Sequence, residues 1–137
     1  MKLKVIIARP GEKAAVEEIA PGYGSLEQIV GGELEFSTPI MNDVVVVCDR
    51  QGKEKGKMPN RFYFGDMSIP FIRDGQEVDV FAGTIVIIGH RKGKEMLDSL
   101  TESEVDLFMD IYGEPQFITD WRGLEGADYR NDRSHYV

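Results

Sequence analysis

Short runs of apolar residues, separated by glycine and proline, divide this chain into candidate strands and helices. KLKVIIA, residues 2–8, predicts a first strand that ends at a turn over residues 9–11. The apolar spacing of AAVEEIA, residues 14–20, is uneven and fits the second strand of a hairpin or a short helix; we favour the strand. ELEFST, residues 33–38, alternates apolar and polar side chains as a half-buried strand does.

Two stronger apolar runs predict the centre of a sheet. VVVVC, residues 44–48, is continuous, which indicates a strand covered on both faces. VDVFAGTIVIIGH, residues 78–90, is rich in β-branched side chains and is interrupted by Gly83, where we expect a bulge or a close backbone approach. A long connection rich in glycine and proline joins the two runs, and such connections usually carry function or contain short elements of their own.

Helical spacing occurs in two segments. SLEQIV, residues 25–30, begins with the serine and glutamine spacing of a capping box and ends at a glycine pair. TESEVDLFMDIY, residues 101–112, has the same box in Thr101 and Glu104 and stops at Gly113.

These elements predict an α+β fold with a mixed, mainly antiparallel sheet of about five or six strands and two helices on one face. The length of 137 residues fits one domain with a genuine core. We expect that domain to span residues 1–113. Residues 114–137 have no clear period and are expected to form a C-terminal arm or tail.

Composition narrows the class of protein. Hydrophobic residues make up 42% of the chain and charged residues 29%, which is typical of a globular domain and not of a disordered chain. No apolar run approaches the roughly 18–20 residues needed to span a bilayer, and the N-terminus becomes polar too soon for a secretory signal. Cys48 is the only cysteine, so no internal disulfide is available. We expect a cytoplasmic protein with no membrane partner.

Charge is distributed unevenly. The net charge of -8 argues against nonspecific binding of nucleic acid, which depends on lysine and arginine neutralising phosphates. Residues 50–61 nevertheless hold five basic side chains against one glutamate, and residues 91–95 hold three against one. Basic segments on an acidic body favour a small anionic ligand over a long polyanion.

The order of these segments resembles a known family. SLEQIVGGELE, CDRQGKEKG, MPNR, FAGTIVIIG and SLTESEV follow one another over residues 2–112 as they do in an uncharacterised bacterial and phage protein family, domain of unknown function 3846. The characteristic marks are Gly31-Gly32, the turn from Asp49 to Gly56, Pro59-Asn60-Arg61, Gly83-Thr84 and Gly89. The family has no established activity, so the resemblance implies the fold and a bacterial or phage origin, with the host cytoplasm as location if a phage encodes the chain.

The first candidate ligand site is the stretch around Arg61. A guanidinium that follows Pro59 and precedes the aromatic residues 62–64 is held firmly enough to bind phosphate or carboxylate through two hydrogen bonds, and Asn60 adds an amide. Tyr63 supplies a ring for stacking. The alternative is that Asn60 caps a turn and that Arg61 pairs with Asp66 or Asp79.

Lys57 and Thr84 complete the predicted site. Lys57 and the neighbouring lysines attract an anion, or else merely solubilise a hairpin tip. The Thr84 hydroxyl, beside Gly83, can bind a ligand lying against the strand, although such glycines more often relieve crowding in a curved sheet. Neither a Walker loop nor a dinucleotide fingerprint is present.

Catalytic groups are sparse. His90 and His135 are the only histidines, and their positions suit no usual metal site, so we expect no metal and no cofactor. Cys48 fills core unless it is exposed to the nearby cations, and a pair with His90 has no third member. The carboxylates of residues 102–110 fit a solvated helix face.

The sequence therefore favours a noncatalytic protein of phage or mobile-element origin that binds a small anionic, nucleotide-like ligand, and we expect the ligand to be a signal of host defence. The alternative is a protein-interaction module whose acidic, nucleic-acid-mimicking surface binds a host protein. A small hydrolase ranks third. Apolar strands that pair edge to edge would give a homo-oligomer.

Overall fold

A computed structural model of the protein describes residues 1–63, 80–94 and 96–118. Within these ranges, ten elements follow one another along the chain. The strands are β1 (Leu3–Ala8), β2 (Ala15–Ile19), β3 (Leu34–Ser37), β4 (Val44–Asp49), β5 (Pro59–Phe62), β6 (Val80–Ala82), β7 (Ile85–His90) and β8 (Leu97–Asp98), and the helices are α1 (Tyr23–Val30) and α2 (Glu102–Tyr112).

The main sheet has the strand order β2-β1-β7-β4-β3, with β8 paired to the end of β7. All of the pairings among the described strands are antiparallel. The predicted α+β class and mainly antiparallel sheet of five to six strands are thus confirmed, and residues 15–19 form a strand as predicted. A second sheet pairs β5 with β6, which are its two strands among the described residues.

The sequence suggested a single strand over residues 78–90, but the described part of this run, residues 80–90, forms two strands. Gly83 has φ of +84°, a left-handed conformation that breaks the extended backbone. The residues before it belong to β6 in the small sheet, and those after it belong to β7 at the centre of the main sheet. Gly83 therefore lies where the chain passes from one sheet to the other. It does not form a bulge within one strand.

The two helices lie on opposite faces of the main sheet, which corrects the prediction that they share one face. Alternate residues of the central strands point to opposite sides. One face packs with α2 around a cluster that includes Val46, Ile87 and Phe108, and the other packs with α1 around a cluster that includes Val45 and Leu26. Because both faces of the sheet are apolar, each needs its own cover.

The helix ends agree with the sequence in three of four places. α2 has the predicted capping box between Thr101 and Glu104, and it ends at Gly113. α1 ends at Gly31, whose φ of +75° is left-handed. At its start, however, the N-cap is Gly22 and no side chain caps the helix, so Ser25 lies inside the first turn and the capping box predicted there is wrong.

The division between a domain of residues 1–113 and a tail of residues 114–137 stays a prediction. Past α2, the side chain of Gln116 accepts a hydrogen bond from the backbone N–H of Phe62 at 2.7 Å, so the start of the predicted tail packs on β5. Residues 119–137 lie outside the described part of the chain.

Candidate functional site

Arg61 is held as rigidly as predicted, but it faces the interior. Its side chain is 0% exposed. Nε donates to the carbonyl of Tyr112 at 3.0 Å, and Nη2 donates to the carbonyl of Glu12 at 2.8 Å. Nη1 donates to the side-chain oxygen of Asn60 at 2.6 Å and to the carbonyl of Arg9 at 3.4 Å. The guanidinium thus joins the β1–β2 turn to the end of α2.

Asn60 has a matching structural role. Its amide nitrogen donates to the carbonyls of Ala8 and Gly83, each at 2.8 Å, and its side chain is 0% exposed. We call Asn60, Arg61 and their backbone acceptors the clasp. The clasp binds backbone carbonyls where the sequence analysis had expected it to bind a ligand.

Burial also explains the electrostatics of the clasp. Removal from water lowers the pKa of Arg61, and the nearby Glu114 acts in the opposite direction. The guanidinium remains charged at neutral pH, because arginine retains its proton in proteins. The alternative partners Asp66 and Asp79 lie outside the described residues.

Lys57, a second predicted ligand residue, is also used within the fold. Its Nζ lies 2.7 Å from a carboxylate oxygen of Asp49 and 2.8 Å from the carbonyl of Val30, at the end of α1. Lys55 contacts the same oxygen of Asp49 at 2.7 Å. We call Asp49, Lys55 and Lys57 the lysine hub.

The hub depends on a buried carboxylate. The Asp49 side chain is 1% exposed, and a Cβ added at Gly32 would lie 2.5 Å from it. Burial alone raises the pKa of Asp49, but hydrogen bonds from Lys55, Lys57 and the backbone N–H of Gln51 outweigh that effect and lower it to about 2. Two lysines of the basic stretch therefore neutralise an internal charge.

Thr84 follows Gly83 at the junction of the two sheets and is half-buried. It does not line the cavity described next. Of the five predicted ligand residues, only Tyr63 does so. The structure thus separates a set of residues that the sequence analysis had grouped in one site.

A cavity of about 210 Å³ opens between the β3–β4 edge of the main sheet and the small sheet. The edge strand supplies polar side chains on one wall, the turn after β4 supplies two cations, and Tyr63 with the small sheet supplies the apolar wall. The lining residues are Glu35, Ser37, Cys48, Asp49, Arg50, Lys53, Tyr63, Val80, Phe81 and Ala82.

Arg50 is one of the two cations that line this cavity. Its side chain is 55% exposed and lies across the sheet edge, with Nη1 donating to Glu33 at 3.2 Å and Nη2 donating to the carbonyl of Leu34 at 3.2 Å. Such a surface ion pair is weak and exchanges easily with another anion. Tyr63 packs on Phe81 with ring centroids 5.5 Å apart, so the two rings support each other in the lining of the cavity.

The sequence pattern did not distinguish Arg50 and Lys53 from the other basic residues, and it gave no prediction for Glu35 or Ser37. The alternation of residues 33–38 contained a usable signal, because it puts Glu35 and Ser37 on the same face of β3. The pattern does not predict that β3 pairs with β4. That pairing places Glu35 opposite Cys48.

The acidic face of α2 differs from the one predicted. Glu104 is 8% exposed and accepts hydrogen bonds from both terminal nitrogens of Arg91, at 2.6 and 2.8 Å. The Arg91 hydrogen bonds lower the pKa of Glu104, although burial opposes them. Glu102, Asp106 and Asp110 are exposed and form an acidic stripe at four-residue spacing.

No group of three or more histidine, cysteine, aspartate or glutamate side chains in the described residues is arranged to hold a metal ion. Similarly, the described helices include none with the length and apolar character to cross a membrane.

Comparison with curated proteins and with solved structures gave no significant match. A family model, described as a domain of unknown function (DUF3846), matches residues 1–113. That range holds β1 to α2, with the clasp, the lysine hub and the cavity. The chain therefore belongs to the DUF3846 family.

Proposed function

We propose that this protein is a noncatalytic binding protein that holds a small anionic ligand in the cavity between its two sheets. The observation that carries the proposal is that Arg50, Lys53 and Tyr63 line the same cavity. A guanidinium can donate two parallel hydrogen bonds to a phosphate or carboxylate, and a tyrosine ring can stack on a planar group. Together they suit a ligand with an anionic and a flat part.

The size of the cavity limits the ligand. Pockets for drug-sized molecules usually measure roughly 300–1,000 Å³, and this one measures about 210 Å³. A mononucleotide, or one end of a larger nucleotide, is therefore the expected scale. The net charge of -8 disfavours a long polyanion, whereas the two local cations attract a small one.

We further propose that a phage or mobile element encodes this chain. Its ligand would then be a nucleotide signal of host defence, which the protein sequesters. The support for an anionic ligand is the pair of cations, Arg50 and Lys53, that line the cavity. Cyclic and linear nucleotides should accordingly both be tested.

Isothermal titration calorimetry with the purified chain and a panel of cyclic and linear nucleotides tests the proposal. We expect Arg50→Ala to lower the affinity for the best-binding nucleotide about tenfold or more, because a charge-assisted hydrogen bond is lost. Arg9→Ala is the matched control, since Arg9 forms an ion pair with Glu17 at 3.2 Å and does not line the cavity. Absence of binding by every nucleotide, or equal losses in both variants, would refute the proposal.

Cys48 gives a local readout of the same event. It lines the cavity, is the only cysteine of the chain and is 6% exposed, so a small reagent should reach it slowly and through the cavity. A nucleotide in the cavity should slow alkylation of Cys48 by a small thiol reagent, whereas one bound elsewhere should not. Protection that is lost in Arg50→Ala but kept in Arg9→Ala would assign the binding to this cavity.

A second candidate function is a protein-interaction module that uses the acidic stripe to imitate nucleic-acid charge. The supporting observation is that Glu102, Asp106 and Asp110 are exposed at helical spacing on α2. Competing double-stranded DNA should release a host protein that binds this stripe. Charge reversal of Glu102, Asp106 and Asp110 should abolish that binding. The control reverses three exposed glutamates elsewhere, namely Glu12, Glu18 and Glu27.

A further inference from the structure

Glu35 is an unexpected residue in a cavity that we propose binds an anion. It is exposed, it lines the same cavity as Arg50 and Lys53, and no ion pair of the described residues neutralises it. A carboxylate beside a bound anion weakens binding by like-charge repulsion. Glu35 is therefore unfavourable for a plain anion such as inorganic phosphate.

The strand register fixes where Glu35 lies relative to Arg50. The backbone N–H of Arg50 donates to the carbonyl of Glu33 at 2.7 Å, and Glu35 pairs with Cys48 in the next position on the same face. Two residues along a strand span about 6.6 Å. Arg50 and Glu35 are thus close enough for one small ligand to contact both side chains.

The two groups offer complementary chemistry. Arg50 and Lys53 donate hydrogen bonds, whereas an ionised carboxylate such as Glu35 only accepts them. Ser37 adds a hydroxyl on the same wall. Among the described strands, β3 lies at the edge of the main sheet.

We infer that the ligand of this cavity is bifunctional, with a phosphate held by Arg50 and a hydrogen-bond donor held by Glu35, so that Glu35 selects a nucleotide over a simple anion. This inference rests on the proposed anion-binding function. The donor is either a ribose hydroxyl or an exocyclic amine of the base, which present the same chemistry to a carboxylate.

The experiment measures affinity for four compounds: inorganic phosphate, adenosine 5′-monophosphate, its 2′-deoxy form and inosine 5′-monophosphate. The readout is the ratio of affinities for the adenosine nucleotide and for phosphate. In Glu35→Ala this ratio should fall about tenfold. The affinity for the nucleotide falls because its donor no longer has the Glu35 carboxylate as acceptor, and the affinity for phosphate rises because the like charge is removed. If Glu35→Ala no longer prefers adenosine 5′-monophosphate to its 2′-deoxy form, the donor is the ribose hydroxyl. If it no longer prefers adenosine 5′-monophosphate to inosine 5′-monophosphate, the donor is the exocyclic amine.

Glu33→Ala is the matched control, because Glu33 also faces Arg50 from this edge but does not line the cavity. Releasing Arg50 should strengthen binding of all four compounds equally and leave the ratio unchanged. If Glu35→Ala likewise raises all affinities equally, Glu35 acts only by its charge and the inference is overturned. If none of the four compounds binds the native chain, the inference is overturned, whereas the proposed function fails only if every cyclic and linear nucleotide of the wider panel also fails to bind.

Discussion

Arg61 is fully buried and donates to three backbone carbonyls and to Asn60, whereas Arg50 is 55% exposed and shares a weak surface ion pair with Glu33. The two residues belong to one basic stretch of the sequence. Their burial decides what each does: the buried guanidinium stabilises the fold, and the exposed one remains accessible to an anion. Motif context alone does not distinguish these two roles.

The largest expected effect concerns the clasp. Arg61→Ala would remove the guanidinium that donates to the carbonyls of Arg9, Glu12 and Tyr112 and would open a cavity, so we expect a loss of roughly 3 kcal/mol or more of unfolding free energy. Urea denaturation measures it.

Arg61→Lys serves as the control for charge. A lysine keeps the positive charge but lacks the fork that reaches several acceptors, so it should restore only part of the stability. A loss below about 1 kcal/mol for Arg61→Ala would contradict the assignment of Arg61 to the fold.

An intermediate effect concerns the lysine hub and pH. The pKa of Asp49 is lowered from 3.8 to about 2 in the folded chain, so the folded state binds the proton less well than the unfolded state does. The carboxylate therefore contributes stability above about pH 4, and this contribution of roughly 2 kcal/mol is lost as pH falls toward 2.

Asp49→Asn should remove the contribution of the hub at neutral pH and flatten the stability profile between pH 4 and 2. The check is a series of urea denaturation curves for the native chain and the variant across that range. Parallel profiles for the two proteins would show that the hub does not carry this proton linkage.

The smallest expected effect on stability concerns Arg50. Its ion pair with Glu33 is exposed on both sides, at 55% and 61%, so Arg50→Ala should change the unfolding free energy by less than about 0.5 kcal/mol. Urea denaturation of this variant beside Arg61→Ala compares the two arginines directly. A large loss in Arg50→Ala would mean that Arg50 also serves the fold, and any loss of ligand binding in that variant would then need a different explanation.

The marks that carry the family resemblance are explained largely by packing. Gly32 leaves room for the Asp49 carboxylate, and a Cβ at Gly52 would lie 2.7 Å from the carbonyl of Ala82. Gly83 turns the chain between sheets, and Asn60 with Arg61 forms the clasp. The residues that line the cavity lie mostly outside these marks.

Local patterns in the sequence determined most of the elements. Residues 2–8, 33–38 and 44–48 formed strands as their apolar spacing predicted, and Thr101 with Glu104 formed the predicted capping box, because these signals depend only on near neighbours along the chain. The continuous valine run also indicated a sheet covered on both faces. That observation already conflicted with two helices on one face.

Tertiary structure alone decided which polar residues are internal and which meet in the cavity. The acceptors of Arg61 come from the β1–β2 turn and from the end of α2, both remote in sequence. Glu35, Arg50 and Tyr63 line one cavity because β3 pairs with β4 and because Gly83 sends β6 to a second sheet. A guanidinium is equally suited to bind a carbonyl or a ligand phosphate, so only the position of its partners determines which it binds.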